Sequence, residues 1–474
     1  MNRRILAAAT AVVALAASGC TDPAPESPPA SPQAAKPDFQ RGEDGVGDPY
    51  FPTYGNGGYD VRHYGLVVRY DPGTDKLTGT ATITATAKED LASFNLDFVG
   101  LSVDKVSVNG ADAKNERDDA ELVITPSGGI VKDAEFTVEI GYSGTPGSIQ
   151  SPDFGEGGFL HTDDGAIALG QPESASTWFP VNDHPIDKAT YDVEATVPEG
   201  LTALSNGVPG GDSESGGWST WKWSEKVPMA SYLAFLVIGR FRVETGEHKG
   251  KPLFTAIQST LPPGSPADRA MAQTTEIADF LETQFGPYPF EAYGGVVVDD
   301  DRIRYALETQ SRPVYGNVFF KQGPFTEVVA HELAHQWFGD SVSVAQWRDI
   351  WLNEGFASYA EWLWTEEEGG LSVRENFQRE YDDTDWENPT ADPGRAGLFG
   401  RAVYKRGALA VHALRLEVGD SDFFRILKTW TAEKRNGNGS TADFITVAER
   451  VSGDSLDRFF DDWLIGDSAP AIPR

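Results

Sequence analysis

Residues 331–340 of the chain read HELAHQWFGD. On a helix, His331 and His335 lie one turn apart on the same face, about 5–6 Å between their Cβ atoms, so both imidazoles could reach one metal ion. We expect Thr326 to cap this helix and Gly339 to stop it. A pair of core or surface histidines is the alternative interpretation of this stretch alone.

A third metal ligand is expected from the stretch NEGFASY at residues 353–359, in the next predicted helix. Eighteen residues separate His335 from its glutamate, Glu354. Two histidines, one glutamate and an open fourth position are the ligand set of a catalytic zinc site. The sequence therefore predicts one Zn²⁺ per chain, held by His331, His335 and Glu354.

Two acidic residues near these ligands have expected roles of their own. Glu332 directly follows the first histidine and is the expected general base, which would take a proton from a metal-bound water. Asp349 lies just before the second helix. We expect it either to support a metal ligand or to cap the N-terminus of that helix.

Outward from this stretch, the pattern of residues about 58–245 indicates β-structure. The runs TATITAT at 80–86 and FTVEI at 136–140 alternate side chains with period two, as half-buried strands do. Gly, Asn and Asp separate such runs, as expected of turns. We interpret this half as an antiparallel β domain with one face in water.

After about residue 250 the pattern becomes mostly helical. One example is SDFFRILKTWTAEK at 421–434, and a short strand, GVVV at 295–298, precedes such segments. We therefore predict an α+β protein with an N-terminal β domain at 46–248 and a mainly helical domain at 249–474.

Residues 1–20 have the pattern of an export signal. Two arginines precede an apolar run at 5–17 that is too short to span a bilayer. Residues 17–20, ASGC, resemble the lipobox of bacterial lipoproteins, with Ala at the position where that pattern prefers Leu. We expect Cys20, the only cysteine, to carry a lipid anchor. A plain cleaved signal with an incidental cysteine is the alternative.

Residues 21–45 are rich in Pro, Ala and Ser and are expected to form an extended linker. The net charge of −33 makes nucleic acid and anionic membrane surfaces poor partners for the folded region. Membrane contact is therefore expected only through the lipid anchor. The expected location is the cell membrane on its extracytoplasmic face, with secretion as the alternative.

Residues 331–359, HELAHQWFGDSVSVAQWRDIWLNEGFASY, resemble the core of the aminopeptidase N family of zinc metallopeptidases. That family carries HEXXH, eighteen further residues and then a glutamate within N-E-G-F-A. The resemblance covers nearly all of residues 58–474. It implies a thermolysin-like, mainly helical zinc peptidase domain preceded by a β-sandwich-like domain, in agreement with the two halves described above.

Cleavage at a free N-terminus requires carboxylates near the metal, because an ammonium group neutralises them whereas an internal peptide leaves them buried and unpaired. Residues 305–309, YALET, lie where the family carries Gly-Ala-Met-Glu-Asn on a strand that pairs with the substrate. The resemblance implies that Glu308 holds the substrate amine and that Ala306 contacts the peptide. Tyr305 and Thr309 depart from the pattern and leave the shape of the first subsite open. A surface strand glutamate is the alternative.

A second amine ligand is implied by residues 170–173, GQPE, followed by WFPVNDHP at 178–185. These segments resemble the family's Thr-Gln-x-Glu and W-F-P-C-x-D-x-P, with a spacer two residues shorter. The resemblance implies that Glu173 or Gln171 reaches the substrate amine across the domain boundary.

Tyr404, in VYKRG at 403–407, matches the tyrosine of the family's Tyr-x-Lys-Gly, with Arg406 in place of the usual Lys. The resemblance implies that its phenol donates a hydrogen bond to the tetrahedral intermediate. A buried tyrosine in an apolar helix stripe is the alternative.

The leading hypothesis is a membrane-anchored zinc aminopeptidase that removes residues from peptides with a free N-terminus. An endopeptidase or an epoxide hydrolase using the same site is the alternative among enzymes. From a different class, the chain could be a non-catalytic peptide-binding lipoprotein, although His331, Glu332, His335, Glu354 and Tyr404 are all present.

Overall fold

A computed structural model describes residues 38–151 and 155–473. The signal peptide predicted at 1–20, with Cys20, and the linker up to residue 37 lie outside the described residues. Within the described ranges, no helix combines the length and the apolar character needed to cross a bilayer.

Strands dominate the described chain up to residue 239. They are β1 (Gln40–Arg41), β2 (Tyr59–Asp71), β3 (Lys76–Ala87), β4 (Leu91–Asp97), β5 (Ser102–Val108), β6 (Ala111–Asp112), β7 (Lys114–Asp118), β8 (Glu121–Thr125), β9 (Glu135–Gly144), β10 (Ser148–Ser151), β11 (Gly155–His161), β12 (Ala166–Leu169), β13 (Lys188–Pro198), β14 (Thr202–Leu204), β15 (Val208–Ser215), β16 (Trp218–Ala230) and β17 (Leu236–Gly239).

The largest sheet has the strand order β15-β16-β13-β2-β3-β9-β5-β6. Every second residue of β3, from Leu77 to Ala87, is buried, which confirms the predicted alternation. The pairing in this sheet is mainly antiparallel, as predicted, but β13 runs parallel to β2, with Tyr191 opposite Tyr64. A parallel pair needs a long crossover, and the strands between β2 and β13 provide one.

A smaller sheet, β1-β4-β8-β7, packs on this one. Phe94 of β4 lies between Tyr59 of β2 and Phe136 of β9, with ring centroids 5.8 and 5.3 Å apart. The two sheets thus share an aromatic core, as expected of a β-sandwich-like domain. A third sheet has the order β10-β11-β12-β17-β14.

From residue 241 onward, helices surround a few short strands. These elements are β18 (Phe241–His248), β19 (Lys251–Gln258), α1 (Pro266–Met271), α2 (Thr274–Phe285), β20 (Tyr293–Val298), β21 (Ala306–Leu307), β22 (Val314–Gly316), α3 (Thr326–His335), β23 (Val342–Val344), α4 (Trp351–Glu367), α5 (Val373–Asp383), α6 (Gly407–Val418), α7 (Asp420–Glu433), β24 (Gly437–Gly439), α8 (Thr441–Ser452) and α9 (Asp457–Phe460).

A β domain followed by a mainly helical domain is therefore confirmed. Strand pairing moves the boundary between them, because β18 and β19 form a hairpin in the sheet β18-β19-β20-β22-β21. By this pairing the second domain begins at Phe241 rather than at residue 249.

The predicted ends of the HELAH helix, α3, are wrong. Thr326 is its first helical residue rather than its cap, and the Thr326 hydroxyl donates to Glu368 at 2.7 Å. The helix stops at His335, and a tight turn follows that ends at Gly339 with φ 130°. This turn places the carbonyl of Phe338 3.0 Å from Nδ1 of His335.

Close backbone contact joins α4 to α6. A Cβ on Gly407 would lie 2.8 Å from Cα of Gly355, so both positions require glycine. A π-helical turn, Ala402–Arg406, leads into α6, and Gly419 caps the C-terminal end of α6. The glycine contact therefore holds the turn that carries Tyr404 against α4.

Candidate metal centre and substrate cleft

The three predicted metal ligands come together in the structure. His331 and His335 lie on α3, and Glu354 lies on the neighbouring α4. The Nε2 atoms of the histidines are 3.4 and 3.3 Å from Oε2 of Glu354. The ligand atoms of all three residues lie within 4.8 Å of one another. Two imidazole nitrogens and one carboxylate oxygen at this spacing are the donors of a zinc site.

Each histidine is oriented through its other ring nitrogen. Nδ1 of His331 lies 2.6 Å from Oε1 of Glu361, and Nδ1 of His335 lies 3.0 Å from the carbonyl oxygen of Phe338. An N–H at Nδ1 donates to these acceptors and leaves Nε2 of each ring available to a metal. Lys405 lies 3.6 Å from Oε2 of Glu361 and supports the carboxylate from its other side.

The electrostatics of the ligand set favour a bound cation. Burial raises the pKa of the Glu354 carboxyl, but His335 and His331 outweigh burial and bring that pKa to about 2. Burial lowers the pKa of each histidine, yet neighbouring carboxylates raise it to about 9 for His331 and about 10 for His335. The site therefore attracts positive charge, and its residues fit a zinc ion in both donor chemistry and charge.

Glu332 lies on α3 between the two histidines and is 5% exposed. Burial raises the pKa of its carboxyl to about 8, and Glu308 and Glu354 add to the shift. A carboxyl group with a pKa near neutrality can accept and return a proton at neutral pH. This property suits the predicted role of Glu332 as general base.

Tyr404 faces the metal ligands from the π-helical turn before α6. Its ring stacks on that of His331, with centroids 6.1 Å apart and planes at 14°. Burial raises the pKa of the Tyr404 phenol well above its usual value, and the carboxylates of Glu354, Glu308 and Glu332 add to the shift. The phenol therefore keeps its proton and can donate a hydrogen bond inside the cleft.

Glu308 directly follows the short strand β21, which carries Ala306. The Glu308 side chain is buried, and its Oε1 accepts a hydrogen bond from the Tyr232 hydroxyl at 2.9 Å. Its backbone carbonyl accepts a hydrogen bond from Nε2 of Gln336 at 3.0 Å. A carboxylate oxygen of Glu308 lies within 4.8 Å of a ring nitrogen of His335. The predicted amine anchor therefore lies beside the metal ligands.

These side chains surround a cleft of about 280 Å³. Polar groups form one part of its wall: Gln171, Arg304, Glu308, His331, Glu332, His335, Glu354, Glu361 and Tyr404. The other part is formed by Tyr305, Ala306, Phe319, Phe325 and Val328. The cleft thus combines a cation-binding end with a largely apolar wall.

The structure gives the two candidates for the second amine ligand, Glu173 and Gln171, different positions. Gln171 lines the metal cleft, whereas Glu173 lines a neighbouring cavity of about 370 Å³ that shares Gln171 as a wall. Glu173 accepts a hydrogen bond from the Tyr54 hydroxyl, and Arg395 lines the same cavity. Gln171 is therefore the residue placed at the metal centre, and Glu173 does not line that cleft.

Asp349 has neither of its two expected roles. Its Oδ1 accepts hydrogen bonds from the backbone N–H and the hydroxyl of Thr441, at 3.0 and 2.6 Å. Thr441 is the first residue of α8, so Asp349 binds the N-terminus of a helix distant in sequence. It thereby joins the entry to α4 to the C-terminal helices.

Two partners of the site were missed from the sequence. Glu361 lies seven residues after Glu354, two turns along the same face of α4, so helical periodicity could have indicated it. Tyr232 comes from the β domain, and no sequence pattern relates it to Glu308.

Comparisons with known proteins agree with this geometry. Residues 269–463 match the Peptidase family M1 domain, and residues 60–233 match the Peptidase M1 N-terminal domain. An M1 zinc metallopeptidase from Deinococcus radiodurans is 30% identical with a TM-score of 0.83, over 91% of this chain and 99% of that chain. The chain belongs to the M1 family of zinc metallopeptidases. The resemblance to aminopeptidase N is thereby confirmed.

Other relatives of this M1 peptidase are similar over much of the chain. A mutant of the Deinococcus enzyme was solved with a bound Tyr-Ser-Ala substrate, at the same identity and TM-score. Tricorn protease-interacting factor F2 of Thermoplasma acidophilum is 25% identical over 443 residues, 85% of this chain and 53% of that protein. Aminopeptidase M1 of Arabidopsis thaliana is 24% identical over 461 residues, 87% of this chain and 50% of that protein. The chain thus spans about half the length of these two curated relatives.

Proposed function

We propose that this M1 peptidase is a zinc aminopeptidase that removes residues from peptides with a free N-terminus. The observation that carries this proposal is the buried Glu308 carboxylate beside the metal ligands. Among the described residues, no Lys or Arg forms an ion pair with it. A substrate ammonium group would neutralise this charge, and a blocked or internal peptide would leave it unpaired.

The residues of the cleft have separate roles in hydrolysis. When bound by His331, His335 and Glu354, one Zn²⁺ per chain would polarise the scissile carbonyl and make a nucleophile available from water near neutral pH. Glu332 accepts the proton of the attacking water and returns it to the leaving amine. Tyr404 donates a hydrogen bond to the oxygen on which negative charge develops.

Binding groups on both sides of the cleft would fix the substrate. Glu308 would bind the amine, and Gln171 would offer a side-chain amide from the β domain. Ala306 lies on β21, which among the described residues is an edge strand that pairs with β22 on one side only. A peptide could therefore pair with the other edge of β21 by backbone hydrogen bonds.

The alternatives explain less of the site. An endopeptidase would bind internal peptide segments and leave Glu308 without a counter-charge. No feature of the cleft favours an epoxide substrate in particular. A non-catalytic peptide-binding protein would have no use for Glu332 and Tyr404, which both face the metal ligands.

We further propose that the enzyme is anchored at the extracytoplasmic face of the cell membrane through a lipid on Cys20, with secretion as the alternative. The sequence at 17–20 supports this proposal. Mass measurement of protein extracted from membranes should show a lipidated Cys20 as the mature N-terminus. Cys20→Ala should then move the protein from the membrane to the soluble fraction, whereas lipid-free membrane protein would contradict the proposal.

Product analysis tests the proposed activity. A ten-residue peptide incubated with the enzyme should lose residues one at a time from its N-terminus, as followed by mass spectrometry. The same peptide with an acetylated N-terminus should stay intact. Internal fragments from either peptide would instead indicate an endopeptidase. Elemental analysis of the active protein should give about one zinc per chain.

A further inference from the structure

Tyr232 contacts the proposed amine anchor from the other domain. It lies in the one-turn helix Ser231–Leu233, which follows β16 of the β domain. Its hydroxyl donates to Oε1 of Glu308 at 2.9 Å, and both side chains are buried, with relative exposures of 1% and 2%. Burial raises the pKa of Tyr232 well above its usual value, and Glu308 adds to the shift, so the hydroxyl stays protonated and donates.

Glu308 also belongs to a second set of potential metal donors. Ligand atoms of Glu308, Glu332 and His335 lie within 4.8 Å of one another, and His335 belongs to both this set and the set with His331 and Glu354. Carboxylate oxygens bind zinc readily. With substrate and zinc bound, the Glu308 carboxylate would therefore have two cations to choose between, the substrate ammonium group and the metal.

The surroundings hold Glu308 at two points. Its backbone carbonyl is bound by Gln336, and its side chain is bound by Tyr232. The ring of Tyr232 packs edge-on against Trp347, with centroids 5.5 Å apart. Trp347 lies just before α4, the helix that carries the metal ligand Glu354. Tyr232 is therefore packed against the segment that leads into the helix of a metal ligand.

We propose that Tyr232 is a positioning residue that holds the Glu308 carboxylate towards the substrate amine and keeps it from binding the metal. This inference rests on the aminopeptidase function proposed above. The hydroxyl occupies Oε1, so Oε2 remains as the oxygen that meets the ammonium group. Without the hydroxyl, the buried carboxylate would turn to the nearest other cation.

Kinetics with a leucine amide of a fluorescent amine would test the first half of the proposal. Tyr232→Phe should raise KM about tenfold and change kcat much less, because the lost hydrogen bond orients a binding group. In the Glu308→Ala background, Tyr232→Phe should add no further loss. An unchanged KM, or the same loss in both backgrounds, would overturn the proposal.

Tyr142→Phe is the matched control. Tyr142 is also fully buried in the β domain, and its hydroxyl has no hydrogen-bond partner among the described residues. Its removal should leave KM at the wild-type value. An equal rise in KM for both phenylalanine variants would indicate a general effect on the β domain and overturn the proposal.

The visible spectrum of the cobalt-substituted enzyme, recorded without substrate, tests the second half. Tyr232→Phe should change the ligand-field bands, because Glu308 joins the metal, and Tyr232→Phe/Glu308→Ala should restore them. If the spectrum of Tyr232→Phe equals that of the wild type, the proposal that Tyr232 keeps Glu308 from binding the metal is overturned. If the wild type cleaved acetylated and free peptides equally, the proposed function would fail, yet the cobalt spectra would still decide whether Tyr232 controls Glu308.

Discussion

Three of the four carboxyl groups in the cleft wall, those of Glu308, Glu332 and Glu354, lie close together, and their surroundings shift their pKa values in different directions. The pKa of Glu354 is brought to about 2 by His335 and His331 despite burial, whereas burial raises that of Glu332 to about 8. Burial also raises the pKa of Glu308. A carboxylate that stays ionised suits metal binding, and one that titrates near neutrality suits proton transfer.

Glu332→Gln separates catalysis from metal binding. The amide cannot accept the proton of the attacking water, so kcat should fall by about 10³-fold or more. The zinc content and the melting temperature should stay close to those of the wild type, because the substitution conserves shape and leaves the three ligands in place. Steady-state kinetics with parallel metal analysis checks both. Activity within tenfold of the wild type would contradict the general-base role.

The buried carboxyl of Glu225, on β16, should make the stability of the fold depend on pH. Its side chain is 2% exposed, and burial raises its pKa from 4.5 to about 7. Below about pH 4.5 the Glu225 carboxyl is protonated in both the folded and the unfolded protein. As the pH rises from about 4.5 to about 7, the carboxyl ionises in the unfolded protein but not yet in the folded one, so the folded state loses stability. Glu225→Gln removes this loss, at most about 3 kcal/mol.

The melting temperature of Glu225→Gln relative to the wild type should therefore be higher at pH 8 than at pH 5. Calorimetry at both values checks the sign. A difference between the two proteins that is the same at pH 5 and pH 8 would contradict ionisation of a buried Glu225. An exposed acid on the same domain, Glu116, provides the control through Glu116→Gln, which should show no pH-dependent difference.

At the scale of elements, residues 48–54 form what we call the N-terminal strap. Asp48 accepts hydrogen bonds from the backbone N–H of Trp347 at 2.8 Å and lies 3.2 Å from Nε2 of His184. The Tyr50 hydroxyl donates a hydrogen bond to Asp392 and accepts one from the backbone N–H of Gly394. The strap thus ties the β domain to the entry of α4 and to the loop that follows α5.

Asp48→Asn should loosen the strap. An amide in place of the buried carboxylate loses a charge-assisted acceptor, which should lower the free energy of unfolding by about 2–3 kcal/mol. Hydrogen exchange should rise in the loop after α5, at residues 384–400. Asp44→Asn, at an exposed neighbouring position, is the control and should change neither quantity. Unaltered exchange at 384–400 in Asp48→Asn would show that the strap does not hold this loop.

Relations within one helix were predictable from the sequence, whereas contacts between segments distant along the chain were not. His331 and His335 were predictable because helical periodicity fixes their relation, and Glu354 because its spacing is part of a pattern. The hydrogen bond between Thr441 and Asp349 could not be predicted, since the two residues lie 92 positions apart in the chain. The parallel pairing of β2 with β13 was missed for the same reason, because alternation reveals which face is buried but not which strand is adjacent.

At the scale of the whole molecule, the cleft depends on contacts between the two domains. Gln171 of the β domain and Tyr404 of the helical domain line the cleft, and Tyr232 of the β domain contacts Glu308 in its wall. Lys188 of β13 donates to the carbonyls of Asp340 and Ser341 at 2.6 and 3.0 Å, close to the turn after α3. The position of the β domain therefore determines the shape of the substrate site, which no single segment of sequence could indicate.

Metal removal should lower the stability of the whole protein. Zinc held by His331, His335 and Glu354 would join α3 to α4 in the folded state only, so zinc at 1,000 times its dissociation constant would stabilise the fold by about 4 kcal/mol. Dialysis against a chelator should lower the melting temperature by several degrees, and one equivalent of zinc should restore it. His335→Ala should show no zinc-dependent shift. Equal melting temperatures with and without zinc would contradict a metal site shared by the two helices.

One ratio shows whether Glu308 selects a free N-terminus at the zinc site. We would measure kcat/KM for a tripeptide amide with a free and with an acetylated N-terminus, in the wild type and in Glu308→Ala. The wild type should favour the free amine by about 100-fold or more, and Glu308→Ala should lose most of that preference. Glu225→Gln, which alters a buried carboxylate elsewhere, should keep it. A preference that survives in Glu308→Ala, or is absent from the wild type, would show that Glu308 does not select the free N-terminus.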